Sequence, residues 1–269
     1  PVSRTPADCC NGRMNEIPPL DRAAITSAVI RPGGLWRRVE VVPEAGSTNT
    51  ELVARSKEGA PEGTVLVTEH QTAGKGRLGR GFTTPPRVAL TFSLLVRPGV
   101  PSEELGWVSP LMGLAAVAAV RRTTGLETRL KWPNDLLLGE RKLAGILAEA
   151  DFSDPDRPGI VVGMGLNVSQ TRDELPVETA TSLRAEGADT LRETLLVAVL
   201  EEFERRYSAW EPADEYRDVC VTIGRRVRVH LPGDTYLDGT ATGVDDQARL
   251  LVEGRALSAG DVVHVRPGR

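Results

Sequence analysis

Residues Glu69 to Phe82 read E-H-Q-T-A-G-K-G-R-L-G-R-G-F, and the fold turns on how that stretch is taken. Gly74, Gly76 and Gly79 satisfy G-x-G-x-x-G, the turn of a dinucleotide-binding βαβ unit. Such a turn opens a helix and is followed about 20 residues on by an acidic side chain. Here Thr83-Thr84-Pro85-Pro86 comes next, and proline blocks a helix because it lacks the N–H and clashes with the preceding turn. No Asp or Glu lies between Glu69 and Glu103. A Rossmann sheet is therefore excluded. The absence of G-x-x-x-x-G-K-[ST], H-R-D and D-F-G excludes P-loop and protein-kinase readings as well. What remains is a loop that sets Lys75, Arg77 and Arg80 among Gly74, Gly76, Gly79 and Gly81. Glycines let backbone N–H groups approach an anion, and the cations supply charge, so the loop suits a phosphate or an acyl-phosphate.

A second stretch, K-W-P-N-D from Lys131 to Asp135, places a cation, an amide and a carboxylate around a proline-stiffened turn, and Lys142 follows. Together the two stretches describe a site that activates a carboxylate with a nucleotide. A carboxylate must approach a polyanionic triphosphate, so fixed cations and a metal ion have to offset the repulsion. Lys75, Arg77, Arg80 and Lys142 are the cations at hand. Asp135 suits Mg²⁺, which takes one carboxylate plus phosphates and waters. Asn134 and Asn167 can accept from and donate to the nucleotide. Taken singly, each residue has a plainer reading. Lys142 passes for an exposed strand lysine, Asn134-Asp135 for turn formers, and Ser47-Thr48-Asn49 for a helix cap. The ordered set carries the weight.

The elements around these motifs follow from pattern. Helices are expected at about 20–30, from Ser47 to near Gly59, in the 103–124 region that Pro110 interrupts, and over 190–210. In the last, Leu191, Leu195, Val199, Phe203, Tyr207 and Trp210 recur at helical spacing and mark a buried face. Strands are expected at 38–42, 64–69, 88–96, 128–132, 135–138, 142–149 and 159–168. Gly139-Glu140 has hairpin spacing between two of them. After about Cys220 come short strands at 227–231, 237–244, 249–252 and 262–265, punctuated by turns, which suggests a small barrel.

The chain has 269 residues, net charge −4 and pI near 5.6. Its positive charge is local, which argues against a general nucleic-acid surface. The longest apolar run, Leu111 to Val120, is half a membrane span, and no secretory signal is visible. Cys9, Cys10 and Cys220 make no disulfide framework, and the three histidines are too scattered for a zinc site. A reduced cytoplasm is the expected compartment. Residues 1–19 read as a disordered leader, with Met14 a candidate start.

The motif set resembles the biotin–protein ligases. G-S-T-N at Gly46–Asn49, the Glu69–Arg80 loop, K-W-P-N-D, R-K-L-A-G-I-L at Arg141–Leu147 and G-M-G-L-N-V at Gly163–Val168 occur in family order. The resemblance spans about 36–267, and K-W-P-N-D followed by R-K-L-A-G-I-L is its most specific part. It implies an α+β catalytic domain over 20–219, a mixed β-sheet with helices packed on one face, and an SH3-like barrel over 220–269. By motif, Ser47, Thr48, Asn49 and Gln71 are expected to bind biotin, with Gly145 contributing backbone contacts. Lys75, Gly76 and Arg77 are expected over the carboxylate and phosphate, and Lys142 on both reacting anions. Arg80, Phe82, Lys131, Asn134, Asp135 and Asn167 are expected to serve ATP and its metal. The implied acceptor is a lysine of a biotin carboxyl-carrier domain, reached through a biotinyl-adenylate, with no nucleic-acid or membrane partner.

Two positions depart from the family pattern. Lys75 stands where arginine is usual, so the charge is kept without the paired hydrogen bonds a guanidinium makes to phosphate; Phe82 stands where tryptophan is usual. Only 46 residues precede Ser47, too few for the winged helix of bifunctional members, so a monofunctional enzyme is expected. The alternatives are a lipoate–protein ligase, for which no glycine-triplet motif is found, a biotin-responsive regulator, and a non-catalytic binding relic.

Overall fold

The computed structural model describes residues 17–265, apart from 232, 234 and 259; the expected leader with Met14 lies almost entirely outside them. Asp21 caps α1 (Arg22–Val29) through its carboxylate. β1 (Arg38–Val42) leads into α2 (Thr48–Lys57), whose N-cap is Ser47. β2 (Thr64–Thr68) and β3 (Ala89–Val96) flank the glycine–cation loop. α3 (Val108–Thr124) follows a 3₁₀ turn. Pro110 falls in its first turn, where a missing N–H costs nothing. β4 (Thr128–Lys131), β5 (Asp135–Leu138), β6 (Arg141–Asp151) and β7 (Gly159–Asn167) form the rest of the sheet. α4 (Arg192–Ala209) and the short α5 (Ala213–Val219) follow the sheet.

The seven strands lie in the order β1-β2-β3-β7-β6-β5-β4. Only β1 and β2 run parallel, joined through α2; the other neighbours are antiparallel. Alternation along the central strands gives the sheet two apolar faces. Val65, Val67, Leu94 and Val162 join the main core with α1, α3 and α4, while Leu66, Leu95 and Val161 pack with Leu52 of α2. α1, α3 and α4 thus share one face, as expected, and α2 covers part of the other. The rest of that second face is open, and the site lies there.

Segment 102–124 has the length and hydropathy of a membrane span, more than the ten-residue apolar run suggested. It is nevertheless a core helix here, because Leu111, Met112, Leu114, Ala115, Ala116, Ala119 and Val120 are buried. The expected stripe of α4 needs one correction. Leu191 is 57% exposed, since it is the extended residue before the helix and the 3.6-residue period does not yet govern it. α5 was not expected, for only Tyr216 of it is buried and no stripe forms.

Beyond Cys220, β8 (Arg226–Leu231), β9 (Thr235–Val244), β10 (Leu250–Val252), β11 (Arg255–Leu257) and β12 (Asp261–His264) make a second sheet. Its order is β11-β10-β9-β8-β12, antiparallel throughout; β11 goes beyond the expected strands, since R-A-L has no β-branched or aromatic residue to mark it. This sheet is fastened to the seven-stranded part. The Trp132 indole N–H donates to the Ala248 carbonyl at 3.1 Å and that of Trp107 to the Asp246 carbonyl at 2.7 Å. Val221 N–H donates to the Leu130 carbonyl at 2.8 Å.

Candidate active site

The site begins with a β-bulge. β5 and β6 pair Leu136 with Ala144, then Leu137 with Lys142, so Leu143 is the extra residue. A bulge re-aims the side chains around it. Leu143 and Ala144 both enter the core, and Lys142 comes to the open face beside Gly145 and Asp135. Its Nζ lies 2.5 Å from Asp135 Oδ1. The backbone groups that the bulge frees are not left bare. Lys142 N–H donates to the Thr179 carbonyl and its carbonyl accepts from Thr181 N–H. Thr181 in turn donates its hydroxyl to Glu186, which also binds Arg141 and Arg172. Burial pushes the Glu186 carboxyl up, but the Thr181 hydroxyl and the two arginines outweigh it and hold it below its ordinary value.

Opposite stands the N-terminus of α2. The Gln71 side-chain carbonyl accepts from Thr48 N–H at 2.9 Å and lies 3.2 Å from its hydroxyl. Ser93, fully buried on β3, places its hydroxyl 2.8 Å from Thr48 Oγ1 and 2.6 Å from Asn49 Oδ1. The Asn49 amide donates to the Leu147 carbonyl and to Glu149. These contacts require Gly163 beneath them, because a Cβ there would lie 2.1 Å from Asn49 Oδ1.

The glycine–cation loop closes the third side. Lys75 and Gly81 bridge across a 3₁₀ turn at Arg77–Gly79, and Phe82 N–H donates to the Gly74 carbonyl. Gly74 admits this crossing, since a Cβ would meet the Phe82 carbonyl at 2.2 Å. The Phe82 ring rests against Gly165. Arg80 pairs with Asp261 of β12, so the second sheet supplies part of the wall. Burial lowers the Arg77 pKa, while the carboxylates of Asp261 and Asp135 oppose the shift.

The cavity between these parts measures about 160 Å³. It is lined by Ser47, Thr48, Asn49, Gln71, Lys75, Gly76, Arg77, Arg80, Phe82, Lys131, Asn134, Asp135, Lys142 and Gly145. Those are the site residues expected from sequence, with one exception. Asn167 does not line it; its amide donates to the Thr181 carbonyl and its Oδ1 accepts from Gln170, so both ends are used in supporting the segment that holds Lys142. Asn134 does line the cavity, while its amide closes the turn onto the Ile146 carbonyl at 2.7 Å. A second cavity of about 590 Å³ adjoins the first across Arg77, Trp132 and Asn134 and reaches Gln247–Arg249. Ser93, Glu149, Thr179–Thr181 and Asp261 also build the site, although none belongs to the motifs expected to bind biotin or ATP. Only Ser93, a polar residue inside A-L-T-F-S-L-L-V, left a local signal.

Comparison with known proteins identifies the family. Residues 42–167 match the biotin/lipoate A/B protein ligase family, and 222–265 match the biotin protein ligase C-terminal domain. The biotin–[acetyl-CoA-carboxylase] ligase of Mycobacterium tuberculosis is 42% identical, over 93% of this chain and 97% of that one. The bifunctional ligase/repressor BirA of Escherichia coli is 34% identical, over 80% of this chain and 69% of its own. Among solved structures, the biotin protein ligase of Aquifex aeolicus in complex with biotin and ATP superposes with TM-score 0.71 and 27% identity, covering 86% of this chain and all of that one. The chain belongs to the biotin/lipoate A/B protein ligase family, on its biotin protein ligase branch.

Proposed function

We propose the following account of how this chain performs the ligase reaction of its family, the ATP-dependent biotinylation of an acetyl-CoA carboxylase carrier domain. The observation that carries it is the pairing of Lys142 and Asp135 on the open face of the sheet, between the α2 N-terminus and the glycine–cation loop. The polar end of the cavity, made by Ser47, Thr48 and Gln71, recognises the ureido ring, and Asn49 keeps that end rigid. Biotin's carboxylate then points toward Lys75, Gly76 and Lys142.

Lys142 neutralises the carboxylate and the α-phosphate together as a carboxylate oxygen attacks phosphorus and pyrophosphate leaves. Arg77, Arg80, Lys131 and Asn134 bind the nucleotide, with Phe82 beside the adenine. The smaller cavity is below the usual 300–1,000 Å³ of a ligand pocket, so ATP draws on the neighbouring one. In the second step the amine of the acceptor lysine attacks the acyl carbon of the mixed anhydride, and AMP leaves. The loop covers the anhydride meanwhile and keeps water from it.

The residues present fit Mg²⁺. Among the described residues no group of three His, Cys, Asp or Glu forms a cage, but Mg²⁺ carried by a triphosphate needs only one or two carboxylates, and Asp135 already holds a cation, Lys142. When bound, Mg²⁺ offsets phosphate charge. A boundary near residue 220 and a cytoplasmic setting complete the reading. Biotin-dependent exchange of labelled pyrophosphate into ATP tests the first step alone. Exchange that needs biotin is expected, and exchange with lipoate instead would replace the substrate assignment.

A further inference from the structure

The first residue of α4, Arg192, is outside the pocket and only 3% exposed. Its Nη1 donates to Glu69 Oε2 at 2.6 Å and to the Ala89 carbonyl at 3.4 Å, and its Nη2 donates to the Pro18 carbonyl at 2.8 Å. Glu69 and Ala89 bracket the glycine–cation loop, since β2 stops at Thr68 and β3 starts at Ala89. Between them Arg87 N–H donates to the Glu69 carbonyl at 2.8 Å. The other Glu69 carboxylate oxygen accepts from Leu20 N–H at 2.6 Å. One buried guanidinium is therefore bonded to both ends of the neck from which Lys75, Arg77 and Arg80 are hung.

Holding the sheet does not require it, because β2 and β3 already pair along Thr64–Thr68. A buried ion pair is also a poor source of net stability, as desolvation offsets the attraction. What such a pair does supply is fixed geometry. We infer that Arg192 is a positioning residue for the ligase reaction: through Glu69 and Ala89 it sets the neck of the loop and so keeps the loop closed over the acyl-adenylate. Arg192 has this role only if the loop retains the intermediate as proposed above.

The test uses Arg192→Met combined with Glu69→Gln, so that neither charge is left buried alone. Glu69→Gln by itself serves if the double variant fails to fold, since Gln can still accept from Leu20 N–H and the Arg192 guanidinium keeps the Ala89 and Pro18 carbonyls as acceptors. Arg206→Met is the control, because Arg206 is equally internal on the same helix but binds Glu202 and Glu215. Escape of adenylate is read as biotin appearing on an unrelated lysine-rich protein, alongside Tm and the KM for biotin. Escape should rise on the order of tenfold in the neck variants, the change that about 1.4 kcal/mol of lost loop closure gives. Arg206→Met should lower Tm by a similar amount without added escape. Neck variants that fold and leak no more than wild type overturn the role of Arg192. Arg77→Gly, run in parallel, shows what falls with it: if that variant leaks, the loop's role stands and only Arg192 is misassigned; if it does not, both are wrong.

Discussion

Lys142 and Asp135 lie 2.5 Å apart with side chains 44% and 21% exposed, and the incoming anions must rearrange that pair. Lys142→Ala should cut adenylate formation by about 10²–10³-fold, the range for losing one preorganised donor. Its Tm should barely move, because a solvent-exposed pair contributes only about 0–1 kcal/mol. Pyrophosphate release at saturating biotin, with thermal melts, checks both; a rate within a few-fold of wild type contradicts the assignment. The two floor glycines should separate in the opposite sense. A methyl on Gly163 meets Asn49 Oδ1 at 2.1 Å and Ser93 Oγ at 2.7 Å, groups fixed by hydrogen bonds, so Gly163→Ala should cost about 1–3 kcal/mol as overpacking does. The three atoms nearest a methyl on Gly165 all belong to the Phe82 ring, which the loop can carry away, so Gly165→Ala should leave Tm nearly unchanged. Equal losses would contradict the difference. The sequence showed the cavity-lining cations and amides because motif order survives in one dimension. It could not show Glu149 or Asp261, whose roles arise when distant segments meet, nor that Asn167 would donate to the Thr181 carbonyl and accept from Gln170; of Ser93 it showed only a polar residue in an apolar run.

The strands before residue 168 were legible because β-branched runs and turn residues mark them locally. The bulge at Leu143 was not, since R-K-L-A-G-I-L carries no glycine or proline at the extra residue; only the register with β5 reveals it. Elements also carry the junction between the two sheets. His264 on β12 has Nε2 3.2 Å from the Thr222 hydroxyl oxygen, which accepts from Trp132 N–H at 3.0 Å. Burial and then the charges of Lys131 and Arg225 push the His264 pKa down to about 4, against about 6.5 in an unfolded chain. Between those values the unfolded chain binds the additional proton, so stability falls as pH is lowered through that window and is complete above it. His264→Gln, which does not titrate, should show a shallower fall of Tm between pH 6.5 and 4. Parallel Tm curves for the two proteins would remove His264 from the junction.

For the molecule as a whole, the second sheet is a wall of the site and a cover for Trp107 and Trp132, both 3% exposed. Cutting the chain after Val219 should therefore lower Tm, since exposing each large apolar side chain costs roughly 1.5–3 kcal/mol. The end of the cavity made by Ser47, Thr48 and Gln71, proposed above to take biotin, lies wholly before that point. Biotin binding by calorimetry should persist in a truncation that circular dichroism shows to be folded, while ATP turnover should be lost with the Asp261 wall. Complete loss of biotin binding in a folded truncation contradicts that division. The central claim, an adenylating ligase that places biotin on a carrier lysine, is tested most directly by intact-mass analysis. The purified protein is incubated with ATP, Mg²⁺, an acceptor carrier domain and either biotin or lipoate. The account predicts one biotinyl group per acceptor, dependent on ATP and abolished by Lys142→Ala, and no lipoyl adduct. An acceptor that gains lipoyl, or stays unmodified while the enzyme is folded and binds biotin, would contradict it.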